Sequence, residues 1–256
     1  FEKQWTEYTG AEDCCALTSG TDALHTAAML TGVGPGDEVI MPAHGFIASI
    51  GPWLHTGATI KYVDCKVSDY CIDEDKIEAQ ITDKTKVILW IDINGQTPDV
   101  DRILVIAKKH NLTTVEDAAP SAGASYKNRK VGTQADITCF SFGPVKPLGA
   151  IGGAGGITGS KTICDQARQI RNHGRTGRDG YKILGWNRNL HTMQASFLLA
   201  KLPYLNELND MKRAHAIRYN EQLKDVVKHV PQEQADSNTN NQNNNHNDNH
   251  KNNHKN

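Results

Sequence analysis

Apolar and polar positions along the chain alternate in blocks that predict strands separated by helices. The run Lys86–Ile91 is apolar after its first residue, which is typical of a parallel strand covered on both faces. The other strands predicted from β-branched and aromatic runs are Cys14–Thr18, Glu38–Met41, Thr59–Val63, Thr113–Val115, Ile137–Phe142 and a strand that contains Ile157 and Thr158. Helical spacing and capping residues predict helices over Phe1–Gly10, Ala23–Leu30, His44–His55, Ile72–Ile81 and Asp99–His110.

This order of strands and helices predicts an α/β fold. Its central sheet is doubly wound and mostly parallel, and helices cover both faces. In such sheets ligands bind at the carboxyl ends of the strands. Reactive or charged side chains that follow a strand are therefore the first candidates for a functional site.

Composition narrows the classes of function. The 256 residues suffice for one large α/β domain or two small ones, and a formal net charge of -1 gives no reason to expect a nucleic-acid partner. No apolar run is long enough to cross a membrane and the first residues lack a signal-peptide pattern, so we expect a cytoplasmic protein without a membrane partner. The six cysteines lack metal-ligand spacing, and we expect them to be reduced and mostly buried.

The last stretch, residues 231–256, is almost purely polar and rich in asparagine and histidine. Because it has too few apolar residues to form a core, we predict a folded domain over residues 1–230 followed by a disordered tail. Weak metal binding is the alternative for the histidines of this region, but compositional bias explains them better, and no metal site is predicted. These histidines are His229, His246, His250 and His254.

A single lysine, Lys146, lies in a loop between the predicted strand Ile137–Phe142 and the strand that contains Ile157. Because a lysine ammonium loses its proton readily when it is desolvated, Lys146 is a candidate for forming a Schiff base. The alternative is an ordinary solvated loop lysine. Regular structure around it is disfavoured by Gly143, Pro144, Pro147 and Gly149.

Two further candidates also follow predicted strands. Asp117 comes shortly after the strand Thr113–Val115, and the turn Ser19–Asp22 leads from a strand into a helix. The amides of Gly20, Thr21 and Asp22 could hold a phosphate at that helix N-terminus, although simple helix capping is the alternative for this turn and for Asp117. A lysine, a carboxylate and a phosphate-binding turn are together what a pyridoxal phosphate site requires.

Seven longer stretches carry a family resemblance. They are SGTDAL (Ser19–Leu24), PGDEVIMPAHGFIAS (Pro35–Ser49), GQTPDVDRI (Gly95–Ile103), EDAAPSAGASYKNRKVG (Glu116–Gly132), CFSFGPVKPLGA (Cys139–Ala150), RNHG (Arg171–Gly174) and GWNRNLHTMQASFLLAKL (Gly185–Leu202). With these stretches in this order, the chain resembles the DegT/DnrJ/StrS family of sugar aminotransferases, which are fold-type-I pyridoxal phosphate enzymes. The resemblance implies the large domain of that fold.

The resemblance also implies roles for single residues. Lys146 matches the Schiff-base lysine, which moves the proton between substrate and cofactor, and Asp117 matches the carboxylate that pairs with the pyridinium nitrogen. The cofactor-binding residues it implies are Thr21 and Asp22 at the phosphate, with Gly20 in the same turn, Ser141 as a further phosphate ligand, Phe46 stacked on the ring, and Asn187 reaching the phosphate from a partner subunit. A homodimer with shared active sites follows from the last of these.

The implied reaction transfers an amino group from glutamate or glutamine to a nucleotide-linked keto-sugar, a step of amino-sugar biosynthesis. A deoxygenating branch of the family has histidine in place of the lysine, and Lys146 argues against that branch. A lyase of sulfur amino acids on the same fold is a weaker alternative, because the SGTDAL and EDAA contexts fit sugar aminotransferases better.

The chain also departs from the family pattern. Pro120 stands where a glutamine usually bonds the phenolic oxygen of the cofactor, and Asn189 replaces a common arginine. The polar tail begins where family members continue into a small C-terminal domain, so we expect that domain to be largely absent. A truncated remnant that binds the cofactor and dimerises without turnover is therefore the alternative function.

Some assignments stay open on the sequence alone. Phe46 could be an ordinary core residue and Asn187 a turn residue. Three histidines, namely His44, His173 and His191, are undecided between structural and substrate-side roles.

Overall fold

The computed structural model describes residues 1–232 and the backbone of residues 237 and 238. A seven-stranded sheet forms its centre. The strands of this sheet are β1 (Asp13–Leu17), β2 (Glu38–Pro42), β3 (Thr59–Val63), β4 (Thr85–Ile91), β5 (Thr113–Asp117), β8 (Ile137–Ser141) and β9 (Gly155–Gly159). Two short strands, β6 (Ser125–Tyr126) and β7 (Arg129–Lys130), pair beside it, and β10 (Ser237–Asn238) joins β6.

The strand order in the sheet is β1-β9-β8-β5-β4-β2-β3. The pairs from β8 to β3 are all parallel, whereas β9 is antiparallel to both of its neighbours. Six of the seven strands therefore run in one direction, which confirms the predicted mostly parallel sheet. Because β9 runs the other way, its first residue lies at the same edge as the carboxyl ends of β1 and β8.

Helices cover both faces of the sheet, as predicted. They are α1 (Glu2–Thr9), α2 (Gly20–Thr31), α3 (Ile47–His55), α4 (Glu74–Ile77), α5 (Val100–His110), α6 (Lys161–Arg171), α7 (Thr192–Lys201) and α8 (Leu205–Leu223). Residues of α2, α3 and α6, including Trp53 of α3, pack against one set of strand side chains, including Val39. On the opposite face α5 packs around Trp90, and α1 packs through Trp5.

Several predicted boundaries were wrong, including that of the helix predicted over Ala23–Leu30, which begins at Gly20. The helix predicted over His44–His55 begins only at Ile47, because Phe46 takes an extended conformation at its N-cap. The helix predicted over Ile72–Ile81 begins after the Asp73 cap and turns into a 3-10 helix beyond Ile77. The strand that begins at Thr113 continues to Asp117, so this carboxylate belongs to the strand end itself.

The cysteine prediction is confirmed, since all six thiols are free and five of the residues are buried. The predicted disordered tail lies mostly outside the described residues, as do His246, His250 and His254. Its first residues are described. There the amide of Gln232 donates to the Ser68 carbonyl at 2.8 Å.

Candidate active site

Three strand ends meet at one edge of the sheet. Gly155, the first residue of β9, is paired with Leu17 at the end of β1 and with Ser141 at the end of β8. Asp117 ends the neighbouring strand β5 and is in register with Cys139, two residues before Ser141. The polar residues predicted from strand ends are thus brought to one place, as the topology requires.

The start of α2 packs directly on this edge. A Cβ atom on Gly20 would lie 2.6 Å from the Ser141 Cβ, and one on Gly155 would lie 2.3 Å from the Ser19 carbonyl carbon. Both positions therefore need glycine for close approach rather than for an unusual backbone angle. The contact places Ser141 against the first turn of α2, where Gly20 and Thr21 carry amides that have no acceptor within the helix.

Ser19 and Asp22 form the cap of this helix. The Ser19 hydroxyl accepts from the Asp22 amide at 3.0 Å and lies 3.1 Å from an Asp22 carboxylate oxygen, which also accepts from the Thr18 hydroxyl. The capping interpretation therefore holds for these two side chains. The side of the turn that stays available to an anion is made by Gly20, the exposed Thr21 and the neighbouring Ser141.

Sequence reasoning missed the main partner of Asp22, which is Arg188. Its guanidinium Nε lies 3.0 Å from Asp22 Oδ1, and its side chain is only 8% exposed. A second guanidinium nitrogen lies 2.8 Å from His25 Nδ1, and the group stacks 4.5 Å from the Trp186 ring. Burial lowers the pKa of Arg188, and the Asp22 carboxylate opposes that effect.

Through its contacts with Asp22 and His25, Arg188 therefore connects the segment around Asn187 to the start of α2. We expect Arg188→Met, which keeps the aliphatic part over Trp186, to lower the free energy of unfolding by about 2 kcal/mol. This value is below that of a fully buried pair because the Asp22 side chain is 28% exposed. Urea unfolding measures it. The matched control is Arg129→Met, whose ion pair with Asp101 is exposed on both sides and is expected to change stability by under about 0.5 kcal/mol.

Asp117 is a buried carboxylate with well-defined partners. The hydroxyl of Ser49, on α3, donates to its Oδ2 at 2.6 Å, and the Ala119 amide donates to its Oδ1 at 3.1 Å. Burial raises the pKa of Asp117, while these two hydrogen bonds and the charge of Lys146 act in the opposite direction. The alternative that Asp117 caps a helix is not what its position in β5 indicates.

Lys146 lies in the loop after β8, where its amide donates to the Gly143 carbonyl at 3.0 Å. Its positive charge is close enough to lower the pKa of Asp117. Lys146 also lines a cavity of about 630 Å³, of the size that small-molecule ligands occupy. The other walls are formed by Pro120, by the Asn94 and Gln96 loop, and by one face of α8 with Pro231.

Phe46 and Asn187 are both exposed, in different parts of the structure. Phe46 is 73% exposed, so it is not a core residue, and its carbonyl accepts from the Ser49 amide one turn along α3. That contact places it near the residue that holds Asp117. Asn187 is exposed and bridges to Asn172. Like Phe46, Asp117 and Ser141, it does not line the cavity described for Lys146.

The remaining sequence candidates are less informative. Pro120 is at the cavity wall, as its place in the sequence suggested, and it offers no hydrogen-bond donor there. Asn189 is exposed and pairs with Leu17 in an isolated bridge. His191 accepts from the Met193 amide at the start of α7, which gives it a structural role. His44 lies near Tyr70, and His173 adopts a left-handed backbone conformation.

The described residues contain neither a metal-binding cluster nor a helix that could span a membrane. Within residues 1–232 and 237–238, no three histidine, cysteine or acidic side chains are arranged to bind a metal ion. No helix in the same part of the chain has the length and apolar character to span a membrane.

Comparison with known proteins identifies relatives of the whole chain. The model of the DegT/DnrJ/EryC1/StrS aminotransferase family matches residues 1–251. A UDP-2-acetamido-2-deoxy-3-oxo-D-glucuronate aminotransferase of Pseudomonas aeruginosa is 38% identical over 227 residues, which are 88% of this chain and 63% of that protein. A "pleiotropic regulatory protein" of Geobacillus stearothermophilus is 38% identical over 221 residues, which are 86% of this chain and 59% of that protein.

A solved structure matches the fold. DesV of S. venezuelae, crystallised in complex with a ketimine intermediate, superposes with a TM-score of 0.88 at 33% identity, covering 92% of this chain and 64% of that one. The expected fold-type-I aminotransferase architecture is confirmed by this match. The chain spans 59 to 64% of the length of these three proteins.

Proposed function

The chain belongs to the DegT/DnrJ/EryC1/StrS aminotransferase family, and from this premise we propose that it is the cofactor-binding part of a pyridoxal phosphate-dependent aminotransferase. Its substrates are an amino donor, glutamate or glutamine, and a nucleotide-linked keto-sugar. The sugar assignment is supported by the relative named as a UDP-sugar aminotransferase. The proposed product is an amino-sugar nucleotide.

One observation carries the proposal: Lys146, buried Asp117 and the glycine turn against Ser141 lie at the same edge of the sheet. These residues fit pyridoxal phosphate. Asp117 is an acidic group nearly closed to water, the α2 turn offers amides and hydroxyls to a phosphate, and the charge of Lys146 acts on Asp117. When bound, the cofactor supplies an electron-accepting ring that stabilises negative charge on the substrate carbon.

In the proposed reaction, the residues of the chain bind the cofactor, orient it and transfer protons. Lys146 Nζ holds the cofactor covalently between turnovers and moves a proton at the substrate carbon. Asp117 keeps a proton on the pyridine nitrogen, and Ser49 and the Ala119 amide fix its carboxylate in place. Gly20, Thr21 and Ser141 bind the phosphate, with Asp22 bracing their turn, and Phe46 covers the ring. Asn187 acts in the site of a partner subunit in a homodimer.

The first test is a titration of the purified chain with pyridoxal phosphate, followed by visible absorption. We expect a new absorption band whose wavelength shifts when glutamate or glutamine is added and returns when a keto-sugar nucleotide follows. Pyridoxal without its phosphate is the matched control ligand, and we expect weaker binding because the α2 turn then has no anion to hold. Absence of any band with pyridoxal phosphate would overturn the proposal.

A second candidate function is a non-catalytic protein that binds the cofactor without turnover. Pro120 favours it, because proline at this cavity wall removes a backbone donor and offers no side-chain donor. The relative named as a pleiotropic regulatory protein is consistent with such a role. The same titration separates the two candidates, since the non-catalytic protein would give a band that neither donor nor sugar changes.

A further inference from the structure

Two buried carboxyl groups lie beside Asp117 without a role in the proposed reaction. Glu116 is in register with Trp90 on the neighbouring strand, and Asp92 follows Trp90 by two residues. Because side chains alternate along a strand, Glu116 and Trp90 lie on one face of the sheet and Asp117 points to the other. Asp92 lies just beyond the end of β4, and its carboxyl group interacts with the Trp90 indole. Both carboxyl side chains are completely buried.

Each of these groups has one good hydrogen bond and one unsatisfied oxygen. The Ser121 hydroxyl donates to Asp92 Oδ2 at 2.5 Å, and the Thr138 hydroxyl donates to Glu116 Oε2 at 2.8 Å. Within the described part of the chain, Asp92 Oδ1, Glu116 Oε1 and the Trp90 indole nitrogen are buried without a well-formed hydrogen bond. The Trp90 indole lies close enough to both carboxyl groups to favour their charged forms, as the Gly132 amide does for Glu116, but neither forms a well-formed hydrogen bond with them. Two fully buried carboxyl groups beside one indole call for a physical explanation.

Charge provides that explanation. Burial raises the pKa of both groups, to about 7 for Glu116 and well above the usual range for Asp92, and the Glu116 charge adds to the effect on Asp92. The charge of Asp117 raises the pKa of both groups further, whereas the charge of Lys146 lowers the pKa of Asp117 itself. The side chains that α5 packs against Trp90 are apolar. The Tyr126 hydroxyl of β6, on the same face, donates to Asp99 and not to Asp92 or Glu116.

We propose that Asp92 and Glu116 hold one proton between them at neutral pH, and that they thereby leave Asp117 as the ionised carboxyl beside Lys146. The proton lies on one of the two unsatisfied oxygens, and the Trp90 indole faces the charge that remains on the pair. Two bare charges at this depth would cost far more than one shared proton. Asp92 and Glu116 are therefore positioning residues, and the part of Asp117 in this scheme rests on the proposed function.

Infrared spectroscopy of the cofactor-free protein tests the inference directly. A protonated carboxyl gives a carbonyl band that ionised carboxylates lack and that shifts in heavy water. We expect such a band at neutral pH, and we expect Glu116→Gln or Asp92→Asn to move its disappearance to lower pH by about one unit or more, because each removes a like charge from the remaining carboxyl. Asp64→Asn, which changes an exposed carboxylate, is the control that leaves the band unchanged.

The outcomes are distinct. A band lost in Asp117→Asn, and unaffected by Asp92→Asn and Glu116→Gln, would place the proton on Asp117 and overturn the inference, as would the absence of a band at neutral pH. If Asp92→Asn does not fold, Ser121→Ala serves instead: it removes a donor to the Asp92 carboxylate, so the band should persist to higher pH. Because no cofactor is present, a failed cofactor titration leaves this test intact.

Discussion

Lys146→Ala is expected to abolish covalent retention of pyridoxal phosphate and to slow amino transfer by at least about a thousandfold. Alanine has neither an amine to form the covalent link nor a group to move the proton at the substrate carbon. The cavity and the Asp117 carboxylate would stay in place, because Lys146 anchors its loop through the backbone bond to Gly143. The variant should therefore still fold and still bind the cofactor weakly.

The measurement is borohydride reduction of the loaded protein followed by peptide mapping, together with the transfer rate. Reduction should fix the cofactor mass to the peptide that carries Lys146 in the parent and to no peptide in the variant. Lys3→Ala, on an exposed side of α1, is the control that keeps both label and rate. Lys212 of α8 lines the same cavity. A label on Lys212 instead of Lys146 would show that the cofactor is attached to the other lysine, and it would contradict the proposal.

The sequence was sufficient for the seven strands of the central sheet and for the residues at their ends, but it did not indicate the short strands β6 and β7. The apolar run before Ile91 and the β-branched residues before Asp117 are local signals, and the topology then brings Asp117 and Ser141 to one edge whatever the details of packing. The direction of β9 was not predictable in this way. Its glycines carry little pattern, and its antiparallel pairing depends on close backbone contact with the start of α2.

The contacts that complete the site come from distant parts of the chain. Ser49 reaches Asp117 because α3 begins three residues later than helical periodicity indicates, and this leaves Phe46 exposed at the helix start. The ion pair of Asp22 with Arg188 joins α2 to a segment without regular periodicity. An arginine next to Asn187 gives no sequence signal of its own, since arginine is equally common on solvated surfaces.

The pairing of Asp92 with Glu116 shows a similar limit. Each lies at the end of an apolar strand, where an acidic residue could equally face solvent, a cation or a ligand. Only the register of β4 and β5 brings Glu116 beside Trp90, close to the Asp92 that follows β4. The sequence can therefore nominate acidic residues at this sheet edge, but the strand register decides which of them share an environment.

Asp117→Asn is expected to lower the rate of amino transfer by roughly a hundredfold to a thousandfold while the protein stays folded. Asparagine has nearly the same shape, and its carbonyl oxygen can still accept from the Ser49 hydroxyl. It carries no negative charge, so it cannot hold a proton on the pyridine nitrogen, and the ring then accepts electrons poorly. The transfer rate and urea unfolding measured on the same preparation separate lost chemistry from lost stability.

Ser49→Ala distinguishes the charge of Asp117 from its position. It removes one hydrogen bond to a charged acceptor, worth about 1.5–3 kcal/mol, and leaves the carboxylate ionised. We therefore expect a smaller loss of rate than in Asp117→Asn, together with a measurable loss of stability because Ser49 is buried. If Asp117→Asn kept the parent rate while Ser49→Ala did not, Asp117 would be a structural anchor for α3, and the proton on the cofactor ring would need another holder.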